Sequence, residues 1–230
     1  MKRNLLIFVM LLMVLMNVDA QKNKDPVFDE IQDDPALPRV LLIGDSVSVG
    51  YTLSTREMLQ GTANVHRIPA NGCSTIKGWD NINNWIGNKK WDVIHFNWGL
   101  HDLKYLDNGK HNVPLEDYEL MLERLVKRLK QTEAALIWCS TTPVPEGIVN
   151  PRRDPADVVR YNQAALKIMK KHGVQVNDLY GFALPLIKDI QMPVNVHFTG
   201  DGSKQLAAQV VKHIKGVLIN SSVSTGLFLK

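Results

Sequence analysis

Short uninterrupted apolar runs alternate along this chain with longer stretches in which apolar residues return every three or four positions. Val40-Leu41-Leu42-Ile43 is the clearest short run and stops at Gly44. A continuous run of that length marks a strand covered on both faces. Further strand-like segments lie at 64–68, a weaker one ending before Pro69, at 92–96, ending near Gly99, and at 135–138 and 174–177. Between them the period changes to that of a helix. The stretch 115–129 sets Leu122, Leu125, Val126 and Leu129 on one face, and 158–169 does the same with Tyr161, Ala165, Ile168 and Met169 before Gly173 closes it. The last helical stretch, 203–219, carries Leu206, Val210, Val211, Ile214 and Leu218. Five strands alternating with helices predict an α/β fold, an open parallel sheet between two helical layers. Ligands of such sheets bind beyond the carboxyl ends of the strands, so the loops after each strand are where chemistry is expected.

The first residues follow a different rule. Met1-Lys2-Arg3-Asn4 is basic, Leu5 to Met16 is unbroken apolar, and Val18-Asp19-Ala20 offers small or short residues before a cut. The apolar run is too short to cross a hydrocarbon core ~30 Å thick. Residues 1–20 therefore read as a secretory signal peptide, with an uncleaved anchor as the other reading. The expectation is an exported protein, secreted or periplasmic, with no stable membrane insertion after cleavage. Residues 21–38 are polar, carry Pro26, Pro35 and Pro38, and read as an extended N-terminal lead; 39–230 read as a single domain. Composition narrows this further. With 45% hydrophobic and 22% charged residues among 230, the chain is neither disordered nor collagenous nor a disulfide miniprotein. Its net charge is only +4. The basic pairs Lys89-Lys90, Lys127-Arg128, Arg152-Arg153 and Lys170-Lys171 are scattered and read as solvated helix ends, so no nucleic acid partner is expected.

The loops after the strands hold the candidate chemistry. Gly44-Asp45-Ser46-Val47-Ser48 follows the first strand. Ser46 there is either a nucleophile, beside the free N–H groups of a helix start, or, with Ser48, a helix cap. After the second strand comes Asn71-Gly72-Cys73-Ser74-Thr75, where Gly72 can expose a backbone donor. Trp98-Gly99-Leu100-His101-Asp102 follows the third, and His197-Phe198-Thr199-Gly200 precedes the final helix. A nucleophile, oxyanion donors and a base are what acyl transfer needs.

In these residues the sequence resembles the SGNH, or GDSL-type, hydrolases, from Val40 to about Val211. Gly44-Asp45-Ser46 matches the first block and implies Ser46 as nucleophile. Gly72, with Gly78 six residues on, looks like the second block and implies an oxyanion N–H. Gly99-Leu100-His101-Asp102 looks like the third, and His197 like the fifth-block base. The resemblance implies a sheet of order 2-1-3-4-5 and an oxyanion hole of Ser46, Gly72 and His101. Asp45, Trp98, Asp102 and Asn195 are the candidate pocket residues beside these blocks, no cofactor is expected, and the lack of HExxH or CxxC spacing among the histidines and cysteines argues against a metal site. Two positions depart from the pattern. His101 stands where the family has an asparagine that donates to the oxyanion, and an imidazole can replace it only through a protonated ring nitrogen. Val194 stands where an aspartate usually orients the base, leaving a backbone carbonyl, Asn195 or another carboxylate for that task.

Other residues read as structural: His66 and His95 as hydrogen-bonded strand histidines, Trp79, Trp85 and Trp91 as packing, Arg160, Tyr161 and Asn162 as helix residues. Thr141 to Pro145 reads as a wall of the site. On the implied strand order, Cys73 and Cys139 lie two strands apart, beyond disulfide reach, and are expected free. The function implied is an exported serine esterase that removes small acyl groups, acetyl foremost, from an acylated glycan or other small ester. A lysophospholipase or thioesterase of the same fold, and a catalytically weak glycan-binding pseudo-enzyme, are the alternatives.

Overall fold

The computed structural model describes residues 25–226. The signal peptide expected at 1–20, like the start of the lead, lies outside the described residues. Five strands, β1 (Arg39–Ile43), β2 (Asn64–Arg67), β3 (Val93–Phe96), β4 (Ala135–Cys139) and β5 (Gln175–Asn177), form one parallel sheet of order β2-β1-β3-β4-β5. Leu41 sits between His66 and Ile94, and Ile94 in turn pairs with Leu136. Val40, Leu42, Ile43, Val93, Ile94 and Phe96 are wholly buried, as strands covered on both faces require. The three-layer α/β/α architecture is thus the one the alternation predicted.

Helices α1 (Ser46–Met58) and α7 (Gly200–Gly226) pack together, while α2 (Thr75–Ile86), α3 (Leu115–Lys130) and α4 (Pro155–His172) pack in succession. Two short helices, α5 (Leu179–Ala183) and α6 (Ile187–Ile190), lead from β5 towards α7. Helix α4 starts before the expected 158, because Asp154 accepts from the Ala156 N–H and Pro155 occupies the first turn. Helix α3 places Glu116 and Asp117 in its first turn and Lys127, Arg128 and Lys130 in its last, complementing its dipole. The apolar period of α1 is hard to see because Ser48, Thr52 and Thr55 occupy its buried face. Their cost is offset locally: the Thr52 and Thr55 hydroxyls donate to carbonyls one turn back, at 2.6 and 2.8 Å.

The N-terminal lead is not simply extended. Pro26–Phe28 forms a single 3-10 turn with Val27 buried. Further on, Asp33 meets Arg39 and His66, and the Asp34 N–H donates to the Asn64 side chain at 2.9 Å. The lead is thereby fastened to the edge formed by β1 and β2. Arg153 also departs from expectation. It is buried, not a solvated helix end, and its Nε donates to the Leu100 carbonyl at 2.8 Å.

Candidate active site

Strand β1 ends at Ile43, and the chain turns into α1 through Gly44 and Asp45. Asp45 is the helix cap: its Oδ1 accepts from the Val47 N–H at 2.9 Å. The Ser46 hydroxyl is thus left out of the capping, and it meets the ring of His197, with Nε2 and Oγ 2.8 Å apart. The two residues are 151 positions apart and reach each other from opposite ends of the domain.

His197 is held from behind by Asn195. The asparagine Oδ1 lies 2.8 Å from His197 Nδ1 and 3.0 Å from the His197 backbone nitrogen. A backbone N–H can only donate, so the atom facing the histidine is the amide oxygen. Nδ1 must then carry the ring proton, and Nε2 of the neutral ring is the acceptor for the Ser46 hydroxyl. Val194 does not take part: it is 54% exposed and sits at φ 51°, in the left-handed region that a β-branched residue rarely enters.

Gly72 lies against the turn that leads to Ser46, but not with a free donor. Its N–H donates to the Gly44 carbonyl at 2.9 Å, and a Cβ at this position would come within 2.8 Å of the same oxygen. The close approach explains the glycine, and it corrects the expectation that this N–H is open to an oxyanion. His101 is half-buried on a loop held at two points, by Asn112 Nδ2 on its own carbonyl at 3.0 Å and by Arg153 on the preceding one. Burial pulls its imidazole below the usual histidine range. The Asp45 carboxylate opposes that shift, while Arg153, Lys104 and Lys77 reinforce it. His101 is therefore neutral near pH 7, with one ring N–H to donate.

Three residues expected to line a pocket are buried. Trp98 is fully enclosed beneath α2, where Gly78 leaves room for the indole. Asp102 accepts at Oδ1 from the Thr75 N–H and hydroxyl, at 2.8 and 2.6 Å, clamping the start of α2. Burial pushes its carboxyl up to about 7. Asp45 lines, with Ser48, Tyr51, Asn97 and Cys139, a small pocket of about 10 Å³. Two open grooves lie on loops that follow the strands. One, of about 490 Å³, lies between the loops after β3 and β4 and presents Lys104, Tyr105, Asp107, Asn108 and Asn150. The other, of about 550 Å³, runs beside the base loop along Val144, Pro145, Tyr180, Leu184, Ile187 and Met192.

The structural histidines are where the strands put them. His66 meets Asp33, and His95 lies 3.2 Å from the Asn177 amide. Trp85 and Trp91 are buried, and Trp79 stacks under Arg124. Asn162 brackets Thr141, accepting from its N–H and donating to its carbonyl at 2.8 Å each. Cys73 and Cys139 are free. Among the described residues no three His, Cys, Asp or Glu side chains group as a metal would need, and no helix is long and apolar enough to cross a membrane.

Two residues at the site gave little sign of themselves. Asn97, just past β3, donates to the Cys139 carbonyl at 2.7 Å and ties two strand ends together. Arg67 closes β2 and turns inward under the turn that carries Ser46. Its guanidinium donates to Ser48 Oγ at 2.6 Å, to the Gly44 carbonyl at 3.0 Å and to the Asp45 carbonyl at 3.3 Å. Burial pulls it down to about 10, so it keeps its charge at neutral pH. The only signal was a cation at the end of a weak, largely polar strand.

The five-stranded parallel sheet of order 2-1-3-4-5 between helical layers matches known structures. The fold is that of the SGNH hydrolases. The acetyl xylan esterase AlAXEase superposes with a TM-score of 0.66 at 14% identity, over 76% of this chain and 99% of that one. A lipase/acylhydrolase from Enterococcus faecalis gives 0.68 at 21%, over 78% and 96%. The acetylxylan esterase Axe2 from Geobacillus stearothermophilus gives 0.64 at 18%, over 77% and 94%. No protein-family model and no curated protein matches the sequence. The SGNH likeness is therefore one of fold, carried by tertiary structure across low identity.

Proposed function

We propose that this protein is an exported carboxylic ester hydrolase that removes small acyl groups, acetyl foremost, from carbohydrate. The observation that carries the reading is the relay from Ser46 Oγ to His197 Nε2 to Asn195 Oδ1. As the Ser46 oxygen attacks the ester carbonyl, its proton passes to Nε2, and the imidazolium so formed keeps its Nδ1–H on Asn195. The carbonyl oxygen becomes an oxyanion, for which the Ser46 N–H at the start of α1 and the His101 ring N–H are the donors. His197 then returns the proton to the leaving alcohol, and the acyl group stays on Ser46. Water, deprotonated by the same nitrogen, attacks the acyl-enzyme and frees the acid and the serine.

Export rests on the first twenty residues. The carbohydrate part is supported by the groove carrying Asn108, Asn150, Asp107 and Tyr105 beside the His101 loop, and by the acetyl xylan esterases among proteins of this fold. The apolar groove beside the base loop favours a second reading, in which a longer acyl chain lies along Leu184 and Ile187. Acetate release from a panel of acetylated polysaccharides, set beside hydrolysis of esters of increasing chain length, tests both. The expected result is preference for acetyl and a loss of at least about a thousandfold in Ser46→Ala. That variant should melt like the wild type, since Asp45 and not Ser46 caps α1. An active Ser46→Ala overturns the reading, and a preference for long chains moves it to the second.

A further inference from the structure

We propose that Arg67 is a positioning residue of this site, whose guanidinium fixes the turn carrying Ser46 and sets positive charge behind the forming oxyanion. The inference rests on the esterase reading. Arg67 is buried, yet no carboxylate stands within ion-pair distance of it among the described residues. Its hydrogen bonds go to neutral oxygens, the carbonyls of Gly44 and Asp45 and the hydroxyls of Ser48 and Thr52. Those carbonyls belong to the two residues immediately before the nucleophile.

The Gly44 oxygen therefore accepts from both Arg67 and the Gly72 N–H. Ser48, held by Arg67, donates its own hydroxyl to the Asp45 carbonyl at 2.9 Å. The turn is pinned from below at each peptide, which leaves Ser46 little freedom to drift from His197. Charge adds to geometry. Asp45 is a buried carboxylate next to the nucleophile, and alone it would oppose negative charge on the substrate oxygen. A guanidinium under the same turn offsets that field and adds to the positive end of α1. With the Gly72 N–H engaged on Gly44, this contribution falls where a direct donor is absent.

Arg67→Gln keeps a hydrogen-bond donor and removes the charge, while Arg67→Lys keeps the charge and loses the fork. Both are compared with wild type on p-nitrophenyl acetate, with thermal melts alongside. The proposal expects Arg67→Gln to lose about tenfold or more in kcat with KM within about twofold, because only the transition state is affected. Arg67→Lys should retain kcat within about threefold. Arg67→Met supplies the neutral comparison should the glutamine variant not fold. Neutral variants with wild-type kcat overturn the proposal, as does equal loss of kcat in the lysine and neutral variants. Neutral variants that all fail to fold also overturn it, in favour of a purely structural arginine. A wild type that releases no acetate from any ester overturns the esterase reading itself, a result separate from these.

Discussion

Asn195 shows how much one oxygen atom decides. It accepts from both the ring and the backbone of His197, which sets the tautomer, but it carries no charge to meet an imidazolium. Hydrogen bonds to an ionised acceptor are about twice as strong as neutral ones. Asn195→Asp should therefore raise kcat on p-nitrophenyl acetate by about tenfold, with KM unchanged, and Asn195→Ala should lower it by a similar factor. Unchanged kcat in both would show that the base needs no partner at Nδ1. His101 offers a second test at the same scale. Its neutral ring can donate one N–H, as an amide can, so His101→Asn should keep activity within about threefold if the ring serves the oxyanion. Loss of one oxyanion donor typically costs ~10²–10³ in rate. A collapse of that size in a folded His101→Asn would show that the imidazole transfers a proton instead.

Among the elements, α2 is the one whose placement the site depends on. It begins where Asp102 clamps Thr75, directly after the Gly72 loop, and it crosses the core over Trp98. A Cβ on Gly78 would come within 2.8 Å of the indole ring. Trp98 cannot yield easily, since it is wholly enclosed and its own carbonyl accepts from Tyr118 at 3.0 Å. Overpacking of this kind costs roughly 1–3 kcal/mol. Gly78→Ala should lower the urea midpoint accordingly, and a drop in kcat should accompany it because the Gly72 loop moves with α2. A variant as stable as wild type would show that the helix can shift without strain.

For the whole molecule, buried titratable groups set the response to acid. His95 is fully buried, and burial pulls it down to about 3. Between its ordinary 6.5 and about 3 the unfolded chain binds a proton that the folded chain does not, so stability falls as pH falls. Burial lowers His66 and His101 as well, in the same direction. Asp102 acts oppositely. With its folded carboxyl near 7 against 3.8 unfolded, the folded state holds the extra proton between those values, and its contribution is lost as pH rises. Asp102→Asn removes the opposing group while keeping an acceptor for Thr75. Urea unfolding from pH 6.5 to 4 should then show a steeper loss of stability than wild type, by on the order of 1 kcal/mol per pH unit. Parallel curves would show that Asp102 ionises normally in the fold.

Periodicity and punctuation determined the architecture by themselves. A run such as Val40 to Ile43 cannot be soluble on either face, and the helical stretches have only one face to bury, so a covered parallel sheet follows from local pattern alone. The residues at the strand ends were legible for the same reason, because the topology sends every such loop to one edge. Helix α1 was less so, since hydroxyl residues that satisfy themselves on the preceding turn hide its buried face. What tertiary structure decided was partnership. Whether the Gly72 N–H is free depends on how closely the second loop packs on Gly44. Which group holds His197 depends on the turn at Val194, and Arg67 acquires its place only when β2 lies beside β1. Hydrogen bonds between residues far apart in sequence answer to packing distances of a few tenths of an ångström, which no spacing along the chain encodes.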